Sequence, residues 1–94
     1  MTKWEKCVGE GWGNIVTNAV TYIEKHGGHI MQVKEKFGGL RIYTYGGDYE
    51  AIDTVVRIAE NNAAETCERC GAPGILRHSD KGYLFTACER HIIT

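Results

Sequence analysis

Three of the four cysteines and one histidine fall into two pairs that share the same spacing. Cys67 and Cys70 form the first pair, and Cys88 and His91 form the second, each with two residues between its members. Tetrahedral zinc binds thiolate sulfur and imidazole nitrogen readily, and a two-residue gap lets one tight turn present both side chains to one ion. The pattern therefore predicts a single Zn²⁺ held by these four residues.

With four protein ligands, the predicted ion has no open position for water or substrate. A catalytic zinc normally keeps one such position, so this zinc is expected to be structural. His78 lies between the pairs and is an alternative fourth ligand, although its spacing fits less well than that of His91. Buried free cysteines are the competing interpretation, but they do not account for the paired spacing. Cys7 is isolated and is expected to be a half-buried thiol.

Size and composition limit the kind of protein that this can be. The chain has 94 residues, of which 43% are hydrophobic, and a formal net charge of -1. This length predicts a single domain over 1–94, divided into a first part at 1–66 and a zinc module at 67–94. The balanced charge argues against a general nucleic-acid coat protein. The sequence shows no signal peptide and no apolar run that could span a bilayer, which predicts a cytoplasmic protein with no membrane partner.

The elements that must position the ligands follow from the apolar spacing. Apolar residues recur at helical intervals from Trp12 to Ile23, and Gly27–Gly28 is expected to end that helix. Asp48 is expected to cap a second helix. The apolar stripe of that helix is Ile52, Val55, Val56, Ala59 and Ala63. Residues 80–82, Asp-Lys-Gly, predict a hairpin turn between the ligand pairs. The predicted class is α+β: helix, β-hairpin, helix, then a C-terminal zinc-ribbon or treble-clef-like module.

The first hairpin is predicted where two alternating runs flank Gly38–Gly39. With that turn, Phe37 faces Leu40 and Lys34 faces Tyr43. Period-two geometry places a cationic and aromatic set on one face, namely Lys34, Lys36, Arg41, Tyr43 and Tyr45. The other face is expected to join the core through Met31, Val33, Phe37, Leu40 and Ile42. Glu35 is a misfit among those apolar residues.

No set of catalytic residues emerges from the sequence, and an enzyme is not predicted. His78 and Asp80 lie close together in the predicted second hairpin. A metal-dependent nuclease would need a general base and a separate hydrated metal site, and one histidine with one aspartate does not supply both. A nuclease is therefore the least favoured hypothesis.

Three segments of the chain resemble those of a known group of proteins. The segment "VKEKFGGLRIYTYGG", followed by "TCERCGAPG" and "CERH", is similar to small uncharacterised proteins of bacteriophages and prophages. Those proteins share a Lys-Phe-Gly-x-Leu-Arg segment ahead of a Cys-x-x-Cys-Gly knuckle, and the resemblance covers residues 32–91. The resemblance implies no particular enzymatic activity. It implies a phage-type accessory protein that works inside a bacterial cell, where many such proteins bind and modulate a host protein.

Two binding hypotheses follow. The first is a non-enzymatic module that binds a host protein through the cationic and aromatic hairpin face, since Tyr and Arg dominate interface energies. The second is a nucleic-acid-binding zinc protein, in which the lysines and Arg41 contact phosphates while Tyr43 and Tyr45 stack on unpaired bases. If the tyrosines instead pack beneath a helix, this face is not a binding surface. The sequence predicts no oligomeric state.

Overall fold

The computed structural model describes residues 2–92. Within that range the chain forms two α-helices and two antiparallel β-hairpins, and each hairpin is a separate two-stranded sheet. The elements are α1 (Gly13–Lys25), β1 (His29–Lys36), β2 (Gly39–Tyr45), α2 (Tyr49–Ala63), β3 (Ile75–His78) and β4 (Leu84–Ala87). Short 3₁₀ helices lie at Trp4–Cys7, Glu10–Trp12 and Glu89–His91. The predicted α+β class is confirmed.

Helix α1 carries the predicted apolar stripe. Its buried residues are Val16, Ala19, Val20 and Ile23. The helix ends where predicted: the Gly28 amide donates to the Ile23 carbonyl at 2.9 Å, and Gly27 has a positive φ of 82°. A left-handed residue just past the last turn lets such a bond close, and glycine adopts that conformation at little cost.

Helix α2 begins at its predicted cap. The Asp48 carboxylate accepts a hydrogen bond from the Ala51 amide at 3.3 Å, which satisfies one of the free donors of the first turn. Its predicted stripe packs into the same core as α1, with Ile52, Ala59 and Ala63 buried and the two valines half-buried. Neither helix is both long and apolar enough to cross a membrane, for the residues that the structure describes.

The first hairpin turns one residue earlier than predicted. Lys36 pairs with Gly39, which leaves Phe37 and Gly38 as the turn, with φ of 54° and 81°. The prediction of a Gly38–Gly39 turn is wrong. A non-glycine residue rarely adopts positive φ, so contacts with the turn are expected to favour this conformation. The hydroxyl of Thr86 supplies one, because it donates to the Gly38 carbonyl at 2.7 Å.

The earlier turn shifts the pairing of the strands by two positions. Lys34 lies opposite Arg41 rather than Tyr43, and Phe37 lies in the turn rather than opposite Leu40. Because side chains alternate with a period of two, a shift of two positions leaves the paired residues from Gln32 to Lys36 and from Gly39 to Tyr43 on their predicted faces.

Two residues predicted for the core are exposed. Met31 is 61% exposed and Phe37 is 68% exposed. Met31 lies at a β-bulge, where the register shifts, and Phe37 lies in the turn, so neither follows the alternation of its strand. The other predicted core residues of the hairpin, Val33, Leu40 and Ile42, are buried. Glu35 does not fit the apolar pattern of this face, but its carboxylate has a role in the turn, since it accepts a hydrogen bond from the Gly38 amide at 2.6 Å.

The main core lies between the two helices and the inner face of the first hairpin. Trp12 is fully buried there, and Trp4 packs against this core. The indole N–H of Trp12 donates to the Thr66 carbonyl at 2.8 Å. The N-terminal segment is thereby joined to the chain just before the first ligand pair.

The second hairpin turns at the predicted Asp80–Gly82 segment, and Thr86 on β4 joins it to the rest of the molecule. The Thr86 hydroxyl reaches the first hairpin turn at Gly38. On the outer edge of β4, the Glu68 amide donates to the Thr86 carbonyl at 3.0 Å, and the Thr86 amide donates to the Glu68 carboxylate at 3.2 Å. The buried Thr86, which belongs to the second hairpin, therefore contacts both the first hairpin and the segment that holds the first ligand pair.

Candidate functional site

The first ligand pair lies on a tight turn. The Gly71 amide donates to the Cys67 carbonyl at 2.9 Å, and the Cys67 amide donates to the Ala72 carbonyl at 2.7 Å. Gly71 has a φ of 83°, so the residue after the pair must be one that tolerates the left-handed region. This turn, residues 67–71, is called the knuckle below, and it directs Cys67 and Cys70 to the same side.

The second pair lies where β4 ends. Cys88 directly follows the strand, and the chain then enters the 3₁₀ helix Glu89–His91, in which the His91 amide donates to the Cys88 carbonyl at 3.2 Å. A 3₁₀ helix has about three residues per turn, so side chains three apart lie above one another. That geometry brings the imidazole of His91 to the sulfur of Cys88.

The structure brings the four residues predicted as ligands into one cluster. One ligand atom from each of Cys67, Cys70, Cys88 and His91 lies within 4.8 Å of all the others. His78 is absent from this cluster; it is exposed on β3, opposite Leu84. The alternative in which His78 replaces His91 therefore does not fit the structure.

The separations within the cluster match those of a tetrahedral metal site. With metal–sulfur bonds of about 2.3 Å and metal–nitrogen bonds of about 2.0 Å, two sulfurs lie about 3.8 Å apart, and sulfur and nitrogen about 3.5 Å apart. The sulfurs of Cys70 and Cys88 are 3.7 Å apart. The Nδ1 atom of His91 lies 3.5 Å from the Cys67 sulfur and 3.2 Å from the Cys88 sulfur. The cluster can hold one metal ion.

The thiols of the knuckle differ in acidity. Burial raises the pKa of Cys67, but backbone N–H groups of Cys88, Cys70 and Arg69 that donate to its sulfur outweigh burial and lower it to about 6. For Cys70, the Ala72 amide lowers the pKa, while desolvation and the neighbouring sulfurs raise it above its ordinary value overall. Backbone donors that stabilise a thiolate also prepare it to bind a cation.

The cluster is covered on one side and open on the other. Cys67 is fully buried and Cys88 is 8% exposed, whereas Cys70 is exposed and His91 is half-buried. The covered side faces Phe85 and Ala87, which form a small second core with the two buried cysteines. A bound ion at this position would lie at the edge of the molecule.

An N-terminal support for the knuckle was missed in the sequence. The Gly11 amide donates to the Glu68 carbonyl at 2.9 Å. A Cβ atom at Gly11 would overlap the Cys67 carbonyl oxygen and lie 2.6 Å from the Gly71 nitrogen, so only glycine allows this approach. The available signal was the run of glycines on both sides of Trp12, "GEGWG" at positions 9–13.

Cys7 lies outside the cluster and is exposed, so the prediction of a half-buried thiol is wrong. It is the last residue of its 3₁₀ helix, in which the buried position belongs to Glu5. The Glu5 carboxylate accepts hydrogen bonds from the hydroxyls of Thr2 and Thr17. Hydrogen bonding of this kind allows the Glu5 carboxylate to be buried, while Cys7 lies on the exposed side of the same 3₁₀ helix.

The cationic and aromatic face of the first hairpin is open. We call it the outer face and define it by His29, Lys34, Lys36, Arg41, Tyr43 and Tyr45. Tyr43 is 41% exposed and Tyr45 is 57% exposed, so the tyrosines do not pack beneath a helix. The Lys34 ammonium lies 5.7 Å from the centre of the Tyr43 ring, and the rings of His29 and Tyr45 stack with centres 5.0 Å apart.

Comparison of the chain with protein-family models, curated proteins and solved structures found no match. The conclusions about function therefore depend on the geometry of the ligand cluster and of the outer face.

Proposed function

We propose that this protein is a non-enzymatic binding protein whose C-terminal part is stabilised by one structural Zn²⁺. The observation that carries this proposal is the convergence of four ligand atoms within 4.8 Å of one another. Three sulfurs and one imidazole in a tetrahedral arrangement are typical of zinc. Because all four ligands come from the protein, the ion has no position for a water nucleophile, and it stabilises rather than catalyses.

The fold around the ion supports assigning it to the treble-clef or zinc-ribbon group. A knuckle with the first pair is followed by the β3–β4 hairpin and then by a short helical turn with the second pair. In this arrangement each pair is held by local backbone hydrogen bonds, and the metal joins two turns that are distant in sequence. The metal then serves as a cross-link for a part that has a small core.

The binding surface that we propose is the outer face of the first hairpin, and the setting is the cytoplasm of a bacterial cell. The resemblance to phage proteins implies a protein of the host as the ligand. Exposed tyrosines and an arginine suit such an interface. A second candidate, nucleic acid, is favoured by one specific observation: the outer face carries three cationic side chains and no carboxylate.

The metal content of the purified protein tests the first part of the proposal. We expect one zinc per chain by elemental analysis, a large loss in Cys67→Ser and in His91→Ala, and an unchanged content in Cys7→Ser and His78→Ala. The last two variants are matched controls, because each removes a residue of the same type from outside the cluster. A fully folded protein without metal would contradict the proposal.

Capture from a bacterial lysate tests the binding surface. Tagged wild-type protein and a Tyr45→Ala, Arg41→Glu variant are compared, with and without nuclease. A defined protein that survives nuclease and is lost in the variant supports a host-protein ligand, whereas nucleic acid that is lost in the variant supports the second candidate. Recovery of neither from the wild type would contradict a binding role for the outer face.

A further inference from the structure

The outer face of the first hairpin is more positive than the net charge of the chain suggests. Glu35 is the one acidic residue between His29 and Tyr45, and its carboxylate is used inside the hairpin turn, where it accepts from the Gly38 amide. Residues 48–65, which include α2, carry five carboxylates and one guanidinium. A chain with net charge -1 therefore has a cationic hairpin beside an acidic helix.

The cations of the outer face are not neutralised by ion pairs. Across residues 2–92 the one ion pair joins Arg57 and Asp53 on α2. Lys34 and Lys36 lie near aromatic rings, at 5.7 Å from Tyr43 and 5.6 Å from Phe37. A lysine over a ring keeps its full charge, so these cations can attract an anionic ligand.

The tyrosines add a second kind of recognition to the same face. Tyr43 and Tyr45 are alternate residues of one strand, so their side chains leave the sheet about 7 Å apart on the same side. The ring of His29 lies against Tyr45 at an angle of 23° and extends the aromatic surface onto β1. Aromatic side chains on an open sheet face can stack with unpaired bases, whereas the bases of a duplex are already stacked on each other.

We propose that the outer face binds single-stranded nucleic acid, with Lys34, Lys36 and Arg41 at phosphates and Tyr43 and Tyr45 stacked on bases. The inference rests on the proposed binding role of the outer face, and it takes up the second candidate ligand, nucleic acid, in place of a host protein. The charge of the face favours a polyanion, and its exposed rings can stack on the unpaired bases of a single strand. The acidic residues around α2 repel a polyanion, which confines it to the hairpin.

The test is fluorescence anisotropy with the zinc-loaded full chain and labelled DNA and RNA oligonucleotides of mixed sequence, each single-stranded and as a duplex. We expect the single strands to bind more tightly than the duplexes. Three phosphate contacts predict that log K falls with log salt with a slope of about -2. Tighter binding of duplexes, or no binding of single strands at low salt, would overturn the proposal.

Variants separate a charge-specific site from a general effect of net charge. Lys34→Glu with Arg41→Glu should weaken single-strand binding by more than about tenfold, given the slope expected from phosphate contacts. The matched control is Lys25→Glu with Arg57→Glu, which makes the same change in net charge on exposed helix positions. Circular dichroism checks that both variants fold. An equal loss of binding in the control would overturn the assignment to the outer face.

Stacking has its own signature. Tyr43→Leu keeps apolar area but removes the ring, and it should weaken binding by about fivefold to a hundredfold. Tyr43→Phe should retain nearly wild-type affinity. If leucine is tolerated as well as phenylalanine, the ring is not stacking and the proposal fails. Zinc content is measured on the same samples, so a chain that holds zinc but binds no oligonucleotide contradicts this inference alone, and a folded chain without zinc contradicts the proposed function.

Discussion

The two parts of the chain differ in the size of their hydrophobic cores. Among the described residues, the cluster of buried hydrophobic residues in the first part has eleven members, whereas that of residues 67–92 has four, and two of those are cysteines. Burial of apolar side chains is the main favourable contribution to folding. The first part has a core that can supply it, whereas the second part has Phe85 as its one large buried hydrophobe among residues 67–92.

The second part is attached to the first part by contacts at two places. The knuckle contacts Gly11 near the N-terminus, and β4 contacts the first hairpin turn through Thr86. These are hydrogen bonds and close backbone contacts rather than a shared apolar core. We therefore expect the metal to hold the second part together, and the polar joints to fix its position on the first part.

Removal of the metal should have the largest effect on stability, and this effect should differ most between the two parts. A structural zinc site contributes on the order of 10 kcal/mol to folding, so excess chelator should unfold residues 67–92 while α1 and α2 keep their own core. Hydrogen exchange measured by mass spectrometry would show fast exchange after residue 66 and retained protection in the helices. Equal loss of protection in both parts would show that they form one cooperative unit. Cys7→Ser, treated identically, serves as the control.

The joint at the knuckle is tested by a pair of glycine variants. Gly11→Ala places a methyl group onto the backbone of the knuckle and should destabilise the chain by about 3 kcal/mol, the upper range for overpacking. Its metal should also be lost at lower chelator concentration. Gly13→Ala is the matched control, because the nearest atom to a Cβ there is 4.0 Å away and the residue begins α1. Denaturant unfolding with zinc in excess measures both, and similar values for the pair would refute the role of Gly11.

The joint at the first hairpin should matter less. Thr86→Val keeps the shape of the side chain but leaves the buried Gly38 carbonyl without its hydroxyl donor, at an expected cost of about 1–2 kcal/mol. The loss should also increase exchange of the turn amides, because Gly38 in that turn accepts this hydrogen bond. Thr54→Val removes an exposed hydroxyl bond on α2 and should change the free energy of unfolding by less than about 0.5 kcal/mol. A Thr86→Val protein as stable as wild type would argue against this joint.

The smallest effect concerns acid and the first part. The Thr2 hydroxyl bond lowers the pKa of Glu5 below its ordinary value of 4.5, against the opposing effect of burial. A carboxyl group with a lowered pKa in the folded state stabilises that state above its ordinary pKa, and this contribution is lost as the pH falls through the folded value. Glu5→Gln should therefore reduce the fall in stability below about pH 4.5.

The control for that measurement is Glu10→Gln, at an exposed position. Both variants have the same metal site, so its own acid sensitivity cancels in the comparison. Parallel pH profiles for the two variants would show that Glu5 has no special role.

Sequence patterns correctly predicted the structural features that depend on residues close together in the chain. The stripes of α1 and α2, the Asp48 cap and the glycine end of α1 depend on neighbours within one or two turns, and they are found where the sequence placed them. The paired spacing of the cysteines and the histidine was equally local. Each pair is held by its own turn, and the cluster follows once the second hairpin brings the turns together.

Features decided by distant contacts were missed. The turn at Phe37 and Gly38 receives a hydrogen bond from Thr86, and no pattern near position 37 indicates that contact. The support that Gly11 gives to the knuckle joins positions far apart in the sequence. Glu5 was missed for another reason, since a carboxylate is normally exposed. Its donor Thr2 lies three positions away in the sequence, whereas its donor Thr17 is brought close only by the fold.

The hydrogen bond from Trp12 to Thr66 has a consequence for the time at which the chain folds during synthesis. Donor and acceptor are 54 positions apart, and a ribosome that adds about 5–20 residues per second needs roughly 3–10 seconds to cover that distance. Throughout that interval the indole has no native acceptor, and the largest apolar side chain of the core waits for the strands and helix made after it. The segment around Trp12 can therefore complete its native contacts only after residue 66 has been made.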